Sequence, residues 1–298
     1  MATIAVMGAS GNIGGRISEQ LLAAGHKVRA LGRSAEKLAG LKARGAEVLL
    51  GDAADAAFLT KAFSGADGAF TLQPPNPTAT DYLARQNQEG ESVAKAAADS
   101  RLPHLIALSS VGADLPAGTG PIAGLHRQEE RLKRLTATNV LALRPGYFFE
   151  NFLHVVGLIK HQGINGSAVD GATVLPMIAT RDIADVAAKA LASRDWTGFQ
   201  VRELLGPRDL THAEATRIIG AAIGKPDLPY VTFPYADYVG AMVQAGLSQN
   251  MAELYAEMSK AFNDGIVVSR EGRKPANTTG TTLERFATEV LAPAYAAA

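Results

Sequence analysis

Between the apolar run TIAV and the helically spaced ISEQLLAAG stands MGASGNIGG, residues 7–15, in which Gly8, Gly11 and Gly14 recur at every third position. Few folds need a strand that turns at once into a helix with three residues stripped of side chains in the turn. A dinucleotide does, because its pyrophosphate must reach backbone N–H groups at a helix N-terminus, where the positive end of the helix dipole also lies. On this reading Gly8 permits the tight turn, Gly11 brings the backbone close to the phosphates, and Gly14 lets the helix pack on the strand. Ser10 and Asn12 add polar groups, and Ile13 belongs to the same junction. All six residues are expected at the cofactor.

The flanking sequence supplies the context that such a loop requires. KVRAL, AEVLLG, GAFTLQ, HLIALSSVG and NVLALRPG alternate with helical stretches. Strands apolar on both faces, separated by helices, predict an α/β fold with a doubly wound parallel sheet (Rossmann type). Its ligand crevice lies beyond the C-terminal ends of the strands. The 298 residues are expected to divide into a dinucleotide-binding domain, 1–155, and a smaller, mainly helical substrate lobe, 156–298. Within that lobe, about 173–206 (TVLPMIA, TRDIADVAAKAL, RELLG) is expected to return to the sheet. The sequence also suggests a helix from about Tyr147 and, between the C-terminal helices, one strand at LPYVTF.

Composition removes several classes of function. Lys plus Arg and Asp plus Glu both number 29, so the net charge is zero and no single-sign field attracts a polyanion; nucleic acid is not an expected partner. There is no cysteine, and His26, His104, His154, His161 and His212 are scattered without paired carboxylates at ligand spacing, so no metal site is expected. No apolar run reaches the roughly 18 residues of a membrane span, and no signal peptide is visible at Met1, which together suggest a soluble, cytoplasmic protein.

The second strand ends ALGRS, so that Arg33 stands where a 2′-phosphate would lie and Gly32 leaves room for it. This favours NADPH; a solvated loop cation is the competing reading, and Lys37 is a second, more exposed candidate. Asp52, closing the third strand, either accepts from the adenine amino group or caps the following helix. Leu72, Gln73 and Pro74 follow the fourth strand and are expected beside the cofactor.

Short-chain dehydrogenases pair a serine with Tyr-x-x-x-Lys, but no tyrosine here has a lysine four residues on. Ser109 and Ser110 end the fifth strand, where that serine would stand. The next helix reads LHRQEERL, with His126 and Glu130 four apart: a proton relay near neutral pH, or an exposed helical ion pair without chemistry. In RPGYFFEN, Pro145 and Gly146 turn the chain at the crevice. Tyr147, Phe148 and Asn151 are thereby expected over the nicotinamide, offering a flat wall, a hydroxyl and an amide, whereas Phe149 and Phe152 are expected to be core.

GASGNIG, Arg33, LIALSSVG, LHRQEERL and LALRPGYFFENFL together resemble the NmrA-like branch of atypical short-chain dehydrogenase/reductases. PYVTFP, TRDIADVAAKAL and TTLERFATEVLAP extend the likeness over nearly the whole chain. Within the branch the sequence is most similar to bacterial NADPH-dependent quinone oxidoreductases and triphenylmethane reductases. The resemblance implies that His126 and Glu130 replace Tyr and Lys, and that the lysine of isoflavone-reductase-like relatives is lost. It implies an NADPH-dependent reductase of a planar conjugated acceptor, a quinone first, with dye or imine acceptors as an alternative. The branch also holds non-catalytic sensors of NADP(H) that bind a protein partner, and that class stays open. The helices of 235–262 are expected either in ordinary core or in a homodimer contact, or at a substrate mouth.

Overall fold

The computed structural model describes residues 1–298. In chain order it runs β1 (Thr3–Val6), α1 (Asn12–Ala23), β2 (Lys27–Gly32), α2 (Ala39–Ala43), β3 (Glu47–Leu50), α3 (Ala56–Phe63), β4 (Gly68–Thr71), α4 (Tyr82–Asp99), β5 (His104–Leu108), α5 (Ile122–Leu132) and β6 (Asn139–Pro145). Then follow β7 (Tyr147–Phe148), α6 (Val156–Gln162), β8 (Asn165–Ser167), β9 (Val174–Ile178), α7 (Thr180–Ser193), β10 (Phe199–Leu204), β11 (Asp209–Thr211) and α8 (His212–Ala222). The chain ends with β12 (Tyr230–Thr232), α9 (Tyr235–Gln244), α10 (Gln249–Asn263), α11 (Leu283–Phe286) and α12 (Ala292–Ala297).

Seven strands form one parallel sheet in the order β10-β6-β5-β4-β1-β2-β3. The two-residue period of the strands builds a core on each face. Ile4, Val6, Phe70 and Ile106 point to one side, where Ile17 and Leu21 of α1 and Ile183 and Ala187 of α7 cover them. Ala5, Met7, Ala69 and Leu105 point to the other, under Leu59 and Phe63 of α3 and Val93 and Ala97 of α4. Strand order reverses between β1 and β4, and this switch point fixes where a ligand binds.

The stretch 173–206 divides. α7 packs on α1, with Asp185 bidentate to Arg16 (2.5 and 3.0 Å), and β10 joins the sheet beside β6. Val174–Ile178, expected in the sheet, instead pairs with β7 and β11 in a separate three-stranded sheet. The edge beside β6 is already taken by β10, and Gly146 turns the chain away so closely that a Cβ there would collide with the Pro176 backbone.

Tyr147 and Phe148 do not begin a helix: they are extended against Met177 and Ile178, and a 3-10 turn, Phe149–Val155, follows. Within it Glu150 accepts from the Thr180 backbone (3.0 and 3.1 Å) and hydroxyl (2.5 Å), capping the start of α7. Phe149 and Phe152 are core, packed with Leu210, Ile219 and Phe286. LPYVTF gives β12, the strand expected there, and it pairs with β8. α10 docks on the loop after β5 at Gly120, a left-handed residue (φ +57°) whose Cβ would strike the Leu254 backbone. α9, by contrast, buries none of its residues. No helix is long and apolar enough to cross a membrane.

Candidate active site

Two cavities open along the C-terminal ends of the strands and meet at Leu72 and Pro75, which line both. One, of about 230 Å3, is walled by Gly8, Ser10, Gly11, Arg33, Asp52 and Pro74 among others. Gly8 is left-handed (φ +63°), and a Cβ on it would come within 2.7 Å of Leu72. A Cβ on Gly14 would lie 2.8 Å from the Met7 carbonyl oxygen and 2.7 Å from the Gly8 carbonyl carbon, so the helix–strand contact requires glycine. Gly11 is the N-cap of α1 and offers no side-chain cap. The N–H groups of Asn12, Ile13 and Gly14 therefore have no protein acceptor. Four orphan donors at a helix start are the ordinary anion-binding feature of such a turn, and this one keeps most of them free. Asn12 is exposed and the Ile13 side chain is buried in the core, so Ile13 offers the cavity only its amide.

Arg33 is exposed at the mouth of this cavity and forms no salt bridge, whereas Lys37 does not line it. Asp52 accepts from the Ala54 backbone N–H (2.8 Å) and from Arg85, and these bonds hold its carboxyl below the usual carboxylate range. It does not cap α3; Asp55 does, accepting from Phe58 N–H at 3.0 Å. Arg85 also binds the buried Glu89 (2.8 Å). Sequence reading passed over this Arg85–Glu89 pair, although its four-residue spacing on α4 was there to be read.

The second cavity, of about 320 Å3, runs from Leu72, Gln73 and Ser109 to Tyr147, Phe148 and Asn151, with Met258 and Phe262 of α10 as its roof. No Asp, Glu, Lys, Arg or His lines it. Burial pushes the Tyr147 phenol far above its usual range, the neighbouring Asn151 amide opposing, so Tyr147 remains a neutral donor. Its ring packs edge-on against His212 (centroids 5.2 Å apart), which is 2% exposed, has no partner on either ring nitrogen, and is pushed down to about 4 by burial.

His126 does not line the cavity, and its Nδ1 lies 2.9 Å from the Ala113 carbonyl oxygen. Nor does the structure join it to Glu130, which is exposed to Lys133 one turn on and pairs with it. The informative acid on α5 is the adjacent Glu129, 1% exposed, which holds Arg144 by two bonds (2.8 and 2.6 Å) and accepts from Ser109 Oγ (2.5 Å). It thereby ties α5 to the ends of β5 and β6. One residue of helix turns the side chain by about 100°, which separates core from solvent here. Ser109 lines the cavity with its hydroxyl proton committed to Glu129.

Several known proteins share this architecture. The NADPH-dependent quinone oxidoreductase of Escherichia coli, crystallised with NADPH, superposes with a TM-score of 0.81 over 97% of this chain and 99% of that one, at 22% identity. The Citrobacter sp. triphenylmethane reductase, complexed with NADP(H), gives 0.80 over 97% and 99%, at 21% identity. In sequence, the NAD(P)H azoreductase of Xenophilus azovorans is 29% identical over 283 residues, covering 92% of this chain and 94% of that enzyme. The NmrA-like family matches residues 1–286, from the glycine loop through α11, and the chain belongs to that family.

Proposed function

We propose that this chain is an NADPH-dependent reductase that passes hydride to an uncharged planar acceptor, a quinone first among them. The observation that carries this is the adjacency of the two cavities, which share Leu72 and Pro75 in their linings. A glycine-cradled anion site with unpaired helix N–H groups leads, past Leu72, into an apolar chamber without a charged side chain. Bound along that path, NADPH supplies the hydride. The residues fit it: the α1 amides face the pyrophosphate, Arg33 stands free for a 2′-phosphate, and Leu72 and Gln73 flank the route to the nicotinamide.

The chain's own contribution is placement and exclusion of water. Tyr147 and Phe148 give the acceptor a flat wall, and Tyr147 and Asn151 donate to its oxygen as negative charge develops. A quinone that takes hydride requires one proton to become hydroquinone. With His126 outside the chamber, the hydroquinone anion takes that proton from solvent as it leaves. A sensor without turnover needs no such chamber beside the nicotinamide end. Purified protein with NADPH and a series of neutral quinones should lose the absorbance of reduced nicotinamide well above background. Tight NADPH binding with no oxidation by any quinone refutes the assignment, and a dye or imine turned over faster than every quinone replaces the acceptor.

A further inference from the structure

α4 serves both cavities with two faces. Arg85 and Glu89 look into the coenzyme cavity, while Tyr82 and Gln86, one turn apart, line the acceptor chamber. Gln86 is 3% exposed, yet its side chain makes no hydrogen bond in the protein, and its buried Oε1 has no partner. Its backbone carbonyl, by contrast, is engaged, accepting from Gln73 Nε2 at 2.6 Å. An unpaired buried amide is costly, and a bound partner that meets its free donor offsets part of that cost. Room for it is built in: Gly124 of α5 faces it, and a Cβ on Gly124 would collide with the Gln86 amide. The donor end, Nε2, likewise makes no hydrogen bond in the protein, and it is the end left for a partner in a chamber that otherwise offers few donors. Tyr147 and Asn151, which follow β6, line the same chamber.

We infer that Gln86 donates a hydrogen bond to a carbonyl oxygen of the acceptor, so that the chamber selects neutral, flat molecules that carry such an oxygen. This rests on the reductase assignment above and adds to it the residue that meets the acceptor's oxygen. A charged substituent on such a ring finds no counter-ion here, which disfavours sulfonated or phosphorylated acceptors.

The test compares wild type with Gln86→Met, which keeps length and loses the donor, and with Gln86→Glu. Steady-state rates are measured with benzoquinone at saturating NADPH, alongside NADPH affinity and thermal stability. Gln86→Met should lower kcat/KM about 10- to 100-fold, the worth of one hydrogen bond to developing charge, with NADPH affinity within about twofold. Gln86→Glu should be impaired at pH 8 and regain activity relative to wild type near pH 5, where the introduced carboxyl is protonated and donates. Wild-type menadione turnover should exceed that of its sulfonate by at least about tenfold. Gln86→Met within about threefold of wild type, or a Gln86→Glu profile parallel to wild type, overturns the role of Gln86. Equal rates on menadione and its sulfonate overturn the neutral class. Wild type inactive on every quinone refutes the reductase assignment itself, an outcome separate from active enzyme with indifferent variants.

Discussion

The ion pair under the acceptor chamber can be tested as a thermodynamic cycle. Arg144 and Glu129 are joined by bonds of 2.8 and 2.6 Å with side chains only 11% and 2% exposed, and Glu129 also receives the Ser109 hydroxyl. Removing one partner of such a pair leaves the other charge buried and unpaired, at a cost of about 3–5 kcal/mol. Glu129→Leu also strands the Ser109 hydroxyl, adding about 1 kcal/mol or more. For a chain of this size each kcal/mol moves Tm by about 2–4 °C, so either single variant should melt roughly 6–20 °C lower. Replacing both, Glu129→Leu with Arg144→Met, removes the stranded charge and should melt above either single variant. Differential scanning calorimetry at pH 7 on the four proteins reads this directly. Additive losses in the double variant would refute the coupling, and a loss under 2 °C (about 0.5–1 kcal/mol) in the singles would refute burial as the source of the cost. Because Arg144 precedes Pro145, Gly146 and Tyr147, the single variants should also raise KM for the quinone by loosening that wall.

Four further outcomes follow from the same geometry. Gly14→Ala forces α1 off the Met7 and Gly8 backbone and should abolish measurable NADPH binding by calorimetry, while overpacking costs about 1–3 kcal/mol of stability. Arg33→Asp should weaken NADPH about 10- to 100-fold and NADH far less; equal losses for both coenzymes would contradict its role at the 2′-phosphate. His126→Ala should leave quinone kcat/KM within about threefold, since the ring does not reach the chamber. His212, lowered in the fold to about 4 from an unfolded value of about 6.5, binds its proton more readily when unfolded. Stability is then complete above about pH 6.5 and falls by roughly 3 kcal/mol as pH drops toward 4, and His212→Phe should remove that part of the slope in denaturant titrations.

How much of this was legible beforehand depends on the range of the interaction. The glycine loop, the order of strands and helices and the position of Arg33 rest on chain neighbours within one turn or strand, where spacing and side-chain size decide the outcome. Phe149 and Phe152 as core follow from the same logic. Local spacing was enough for the doubly wound sheet and for a glycine turn that leaves the first N–H groups of α1 free, because a three-glycine turn between strand and helix satisfies few other arrangements. Tertiary structure decided what no local pattern carries: that β9 leaves the main sheet for β7, that Tyr147 is extended rather than helical, and that Glu129 rather than Glu130 faces inward. It also brought Arg85 to Asp52 and left Gln86 unpaired in the chamber, across separations of 33 residues and more. Those choices are settled by which edge is free and which carboxylate escapes water, and both depend on elements distant in the chain.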